Sequence, residues 1–310
     1  MRSRLYHSAA GILLSAAFLL LASCVTAAPQ PPGLDVTGAV DFATIGRLFE
    51  MYRVMRYSTP EQTRAVLAPR YDRFDLVDLP AIKNVYTLGV SDTERRQEIM
   101  IRGTANFANA MSDVRFGEHM NPKLGIDLHR GFEQMATTVY NDILPRLRKD
   151  YPVLIYGHSL GAAEAVILGM LLSVDGFTVE RIYASGQPRV TDVTGAEKYA
   201  YLPILRIVAE ADPVPDLPPR SLPSAADHYV HFGMELFLMD GPYYCLVGQD
   251  TGDDAVSSEF WKALTKAGEN TPVRNHLIPS YITRLTPKLT SAIQVPYAER
   301  ATYVSAPASH

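Results

Sequence analysis

Cysteine is scarce in this 310-residue chain: Cys24 and Cys245 are the whole complement, so at most one intramolecular disulfide can form and a disulfide-stapled scaffold is out of reach. Basic residues are in the minority, 29 against 33 acidic, for a formal charge of -4, and such a surface has no affinity for nucleic acid phosphates. There is no internal repeat and no long low-complexity block. What remains is ordinary globular composition, 47% hydrophobic and 20% charged, in a chain long enough for a full α/β core in one large domain. The apolar stretch Ala9 to Ala22 follows Arg2 and Arg4, and it is too short and too close to the N-terminus to read as a membrane span.

The most informative segment is Gly157-His158-Ser159-Leu160-Gly161, set between the apolar run Pro152 to Tyr156 and the small residues Ala162, Ala163 and Ala165. A serine on a tight strand-to-helix turn is forced into a strained backbone, and glycines two residues either side let strand and helix pack closely enough. The spacing therefore predicts Ser159 as the nucleophile of a hydrolase. The helix behind it directs N–H groups at a developing oxyanion. His158 is one residue from Ser159, cannot reach the hydroxyl with useful geometry, and is expected to pack.

A serine nucleophile needs a histidine base and a carboxylate to orient it. In α/β-hydrolases the chain order is serine, acid, histidine. Asp212, in Ala211-Asp212-Pro213-Val214-Pro215, follows the apolar strand Leu205 to Ala209 directly, and the prolines restrict where its side chain points; Glu210 and Asp216 compete. His228, His231, His276 and His310 lie downstream. His228 and His231 sit in a run of strand character with opposite-facing side chains, which argues for structural roles, and His310 ends the chain. His276, in Asn275-His276-Leu277-Ile278-Pro279, sits in a loop leading into a short final helix and is the leading base candidate.

Along the chain, a long amphipathic helix is expected from about Val40 to Ser58, a hairpin of strands at Lys83 to Val90 and Glu98 to Arg102, and a helix from Phe132 to Lys149. Strands follow at Val179 to Ala184 and Ile204 to Glu210. Strands alternating with helices imply a mainly parallel central sheet with helices on both faces, with ligands binding beyond the carboxyl ends of the strands, where Ser159 falls. The acidic residues Asp250, Asp253 and Asp254 read as a solvated loop in preference to a calcium site, and no metal or organic cofactor is expected.

Several blocks together resemble the class 3 lipases, the family that includes the secreted fungal triacylglycerol lipases: Ile101-Arg102-Gly103-Thr104, His129-Arg130-Gly131-Phe132, the elbow 157–161, Gly186-Gln187-Pro188-Arg189-Val190 and Asp212-Pro213-Val214-Pro215 with Pro218-Pro219. The likeness covers roughly residues 80 to 285. It implies an α/β-hydrolase fold and a carboxylic ester hydrolase acting on lipid esters, with Ser159, Asp212 and His276 as triad and the N–H groups of Thr104 and Leu160 as oxyanion hole. A glycine at 103 fits that role, since it lets backbone approach a substrate. The resemblance also puts a lid at 105–111; a fixed surface helix is the other reading. Phospholipase A1 activity uses the same machinery, and an envelope lipoprotein that keeps the fold without catalysis is a rival of another class. The fungal members are disulfide-bonded, and this chain departs from them there.

The N-terminus reads as an export signal. It ends in Leu21-Ala22-Ser23-Cys24, which resembles the bacterial lipobox, whose cysteine is lipid-modified and becomes the first residue of the mature protein. Cleavage after Ala28 is the alternative, with Pro29 unfavourably placed after the cut. The expected organisation is a signal peptide at 1–23, a proline-rich tether at 24–38, the hydrolase domain at 39–295 and a tail at 296–310, with the protein held on a membrane of the bacterial envelope by lipid on Cys24. Loss of 1–23 removes two arginines and no acid, taking the formal charge from -4 to -6. Cys245 is then left without a partner and is expected to be buried.

Overall fold

The computed structural model describes residues 40–103, 118–220, 229–248 and 274–303. The segments expected to be signal peptide and tether, with Cys24, as well as Thr104, the 105–111 segment, His228, Asp250, Asp253, Asp254 and His310, lie outside the described residues.

The chain opens with α1 (Phe42–Tyr57), whose N-terminus is capped by the Asp41 carboxylate accepting from the Thr44 N–H, and α2 (Pro60–Leu67), where Thr59 and Gln62 cap each other reciprocally. The strands β1 (Arg73–Leu79), β2 (Asn84–Ser91) and β3 (Arg96–Ile101) form an antiparallel meander. A two-stranded ribbon, β4 (Glu118–Asn121) and β5 (Ile126–His129), leads into α3 (Arg130–Ile143). The alternating part follows: β6 (Val153–His158), α4 (Leu160–Val174), β7 (Val179–Ser185), α5 (Val193–Lys198) and β8 (Ile204–Ala209). Strands β9 (Met234–Leu238), β10 (Tyr243–Val247) and β11 (Ile293–Gln294) extend the sheet, and α6 (Ile278–Leu285) returns to cover it.

Among the described residues the main sheet has nine strands in the order β1-β2-β3-β6-β7-β8-β9-β10-β11, and β3, β6, β7, β8 and β9 pair parallel. This is the α/β-hydrolase fold, a mainly parallel sheet with helices on both faces. The period of two in β6 shows how the layers arise: Val153 and Ile155 join the core under α3 and α4, while Leu154 and Tyr156 join the core under α1 and α6. Both faces of β6 are therefore dry, which explains its unbroken apolar run.

Two expectations need adjustment. The stretch around 229–232 is not a strand; Val230 makes one isolated bridge to Thr191, and pairing resumes only at Met234. Beyond 295, residues Tyr297–Tyr303 form a 3-10 helix whose Tyr297 and Tyr303 rings pack on Phe237 and Tyr243 at the end of the sheet. Among the described residues no helix is long and apolar enough to cross a membrane, and Cys245 is buried with a free thiol.

Candidate active site

Ser159 lies between the end of β6 and the start of α4 with φ 60° and ψ -129°, a conformation that non-glycine residues avoid. The flanking glycines make the turn feasible. A Cβ on Gly157 would lie 2.1 Å from the Gly161 carbonyl oxygen, and one on Gly161 would lie 2.4 Å from the Ile101 carbonyl oxygen, both backbone atoms that cannot step aside. The strain is held by the parallel neighbour: the Ser159 N–H donates to the Ser185 carbonyl at 2.9 Å.

Asp212 arrives on the loop after β8. Ala211 takes φ 60°, the Asp212 N–H donates to Ala209 O, and Oδ1 of Asp212 accepts from the Val214 N–H at 2.9 Å. Oδ2 accepts from two groups, His276 Nδ1 at 2.9 Å and the Tyr281 hydroxyl at 2.5 Å. Burial pushes the Asp212 carboxyl up, but the charge and hydrogen bond of His276, with the Tyr281 and Val214 bonds, outweigh it and hold the group below its ordinary value of 3.8. On its other side the His276 ring reaches Ser159 Oγ from Nε2 at 2.6 Å. The three side chains called from sequence thus form one hydrogen-bonded line, with Asp212 and His276 enclosed, 6% and 3% exposed.

His276 ends the 3-10 turn Arg274–His276, just ahead of α6. Room for its ring comes from Gly186, at φ 57°, where a Cβ would lie 2.9 Å from His276 Cε1. The rivals have other work. Asp216 sits beside the buried Arg189, whose guanidinium also donates to the Asp216 and Pro218 carbonyls, so that the acid loop is tied to the strand β7 side. His231 is buried with Nε2 2.7 Å from Pro215 O, supporting the same loop. Glu210, one residue past β8, is fixed through its N–H to Leu238 O.

Leu160, the first residue of α4, is buried, and its N–H is among those that a helix leaves without an intrahelical acceptor. Gly103 is pressed against the next residue, Gly161: at φ 70°, a Cβ there would stand 2.6 Å from Gly161 N. The end of β3 therefore abuts the elbow. Among the described residues no group of three His, Cys, Asp or Glu side chains could hold a metal ion.

Two residues were underread in sequence. His158 does more than pack, since both of its ring nitrogens are hydrogen-bonded, Nδ1 with Ser185 Oγ at 3.0 Å and Nε2 with the His276 carbonyl at 2.8 Å. Reasoning only about its reach to the neighbouring hydroxyl missed contacts on the other side of the ring. Tyr281 raised no expectation; its place one helical turn beyond His276, facing the acid, is visible only once the chain is folded.

Comparison with known proteins adds a likeness in sequence and in fold. Residues 98–222 match the family described as "Lipase (class 3)". The likeness to that family covers 125 of the 310 residues. Curated relatives include a lipase of Rhizomucor miehei, 32% identical over 162 residues, covering 48% of this chain and 43% of that protein. A secreted mono- and diacylglycerol lipase A of Penicillium cyclopium is 30% identical over 175 residues, covering 53% and 55%. The chain thus spans about half the length of the curated relatives it matches. Among solved structures, a lipase from Rhizopus microsporus var. chinensis superimposes with a TM-score of 0.56 at 23% identity over 76% of this chain and 86% of that one, a likeness of fold. The matched span takes in the last four residues of β3, the elbow and Asp212; His276 lies beyond it.

Proposed function

We propose that this protein is a serine ester hydrolase of the lipase type, acting on carboxylic esters of lipids such as acylglycerols, with Ser159, His276 and Asp212 as its triad. One observation carries the reading: the unbroken line from Ser159 Oγ through His276 to a buried, ionised Asp212, at 2.6 and 2.9 Å. His276 Nε2 takes the Ser159 proton as Oγ attacks the ester carbonyl, and Asp212 stabilises the imidazolium that results. The carbonyl oxygen becomes an oxyanion, for which the Leu160 N–H and, from the family resemblance, the Thr104 N–H are the donors; losing one such donor costs about 10²-fold to 10³-fold in rate. Collapse expels the alcohol, which receives the proton from His276. Water, deprotonated by His276, then attacks the acyl-enzyme, the carboxylic acid leaves, and Ser159 recovers its proton. No step requires a metal or organic cofactor.

The substrate class follows the relatives, a mono- and diacylglycerol lipase among them. Covalent labelling of Ser159 by a fluorophosphonate, lost in Ser159→Ala together with hydrolysis of a panel of esters from two-carbon to long acyl chains plus a phospholipid, tests the assignment. A protein that labels nowhere, or a Ser159→Ala variant that still hydrolyses the panel, defeats it. The site of action proposed is a membrane of the cell envelope, with export by 1–23, lipid on Cys24, and 24–38 as a tether to the hydrolase domain.

A further inference from the structure

We propose that His158 is a positioning residue for His276, donating its Nε2–H to the main-chain carbonyl of the base and so fixing where the imidazole hangs between Ser159 and Asp212. The inference rests on the ester-hydrolase reading above and extends it to a residue outside the triad.

The need arises from how the three members are held. Ser159 is mounted between β6 and α4, and Asp212 one turn past β8, both inside the core. His276 sits at the end of a three-residue 3-10 turn, whose hydrogen-bond geometry is poorer than that of an α-helix. A displacement of about 1 Å at a reacting group costs about 10²-fold in rate, so the base needs an outside fixture. His158 supplies it at 2.8 Å.

The hydrogen atoms can be assigned by elimination. A carbonyl oxygen only accepts, so His158 Nε2 is the donor. Burial and, after it, the nearby His276 charge push the His158 ring down to about 3, so the ring is neutral and carries that one proton alone. Nδ1 must then accept, and its partner is the Ser185 hydroxyl at 3.0 Å, nearer than that hydroxyl's other acceptor, the Gly157 carbonyl at 3.3 Å. With its hydrogen committed, Ser185 Oγ accepts from the Tyr156 hydroxyl at 2.9 Å. The result is a one-way chain: Tyr156 O–H to Ser185, Ser185 O–H to His158, His158 N–H to the carbonyl of 276. Moving the His158 proton to Nδ1 would set a bare Nε2 against the carbonyl of 276, and turning the Ser185 hydroxyl away would leave Nδ1 facing an oxygen lone pair.

The ring is also boxed. His276 stacks on it with centroids 4.9 Å apart and planes 24° from parallel, while Tyr52 and Tyr281 meet it edge-on at 5.4 and 5.2 Å. Tyr281 is the same residue that donates to Asp212. His158 thus contacts both the base and the tyrosine that steadies the acid.

Steady-state kinetics and fluorophosphonate acylation rates, each normalised to titrated active sites, test this on the full chain with His158→Phe, His158→Gln and Ser185→Ala. Phenylalanine keeps the ring and removes both hydrogen bonds; an acylation rate lower by about 10²-fold with KM within twofold is expected. Glutamine, whose amide N–H can reach the same carbonyl, should recover most of that loss. Ser185→Ala frees Nδ1 to take the proton and should give a smaller fall in acylation rate, again with KM held. The inference is overturned if His158→Phe acylates at the parent rate per titrated site, if kcat and KM change together, or if glutamine is no better than phenylalanine. Should the phenylalanine variant yield no folded protein, an unchanged acylation rate in Ser185→Ala overturns it and a lowered one supports it. Failure of the parent protein itself to label would instead fault the hydrolase assignment.

Discussion

At Asp212 the environment works against itself in an instructive way. Enclosure opposes ionisation, and the two donors on Oδ2 with the Val214 N–H on Oδ1 more than reverse that. Because the folded value is depressed, the stability this carboxylate contributes is present above 3.8 and is lost as pH falls through the lowered folded value. Replacing it with asparagine preserves shape while removing the charge and the acceptor that select the His276 tautomer. Asp212→Asn is expected to lower kcat by about 10⁴-fold, measured on a soluble short-chain ester, with the acid limb of its thermal stability profile shallower than the parent's. That Ser159, Asp212 and His276 meet in space was legible because each carries a local signature: a glycine-flanked turn, an acid directly after a strand, a histidine ahead of a terminal helix. His158 and Tyr281 have no such signature. Their partners lie 118 and 69 residues away, and only the assembled sheet brings them into reach.

The elements read well from sequence where one periodicity dominated. Helix α1 has apolar residues at helical spacing, and its Ile45, Leu48, Phe49, Tyr52 and Met55 are buried. Strand β1 escaped notice because it is an edge strand, exposed or half-buried along its length, with three charged residues in seven. Helix α4 holds a different surprise. Every residue from Leu160 to Leu172 is buried, Glu164 included, with its Oε2 accepting from the side-chain amide of Asn84. Burial raises this carboxyl from 4.5 to about 8, the Asn84 bond offsetting only part. Here the folded value is raised, so the contribution is fully present below 4.5 and declines through the window up to about 8, at a limiting slope of about 1.4 kcal/mol per pH unit. Glu164→Gln removes the titration. The variant should melt at a higher temperature than the parent at pH 8, with the difference shrinking steadily as the pH is lowered toward 4.5; equal pH slopes in the two proteins would contradict this.

At the scale of the whole molecule, topology decides where chemistry can occur. The parallel strands β3, β6, β7 and β8 all deliver their carboxyl ends to one edge, so Gly103, Ser159, Gly186 and Asp212 converge there although they span more than a hundred residues. The expected anchor belongs to this scale too. With Cys24 replaced by serine, metabolic labelling by a fatty acid is expected to vanish and the protein to move from the detergent phase to the aqueous phase, while hydrolysis of a soluble ester per molecule stays at the parent level. Retention of the label in Cys24→Ser would rule out this attachment point.

The helix behind Ser159 has no solvent-facing stripe through its first thirteen residues. The proposed nucleophile is therefore mounted on the interior of the protein, as a gemstone is set in metal, and its bearings are taken from the middle of the sheet instead of from the rim. Grafting of the outer loops could then retune which esters are accepted while the reacting hydroxyl keeps its aim.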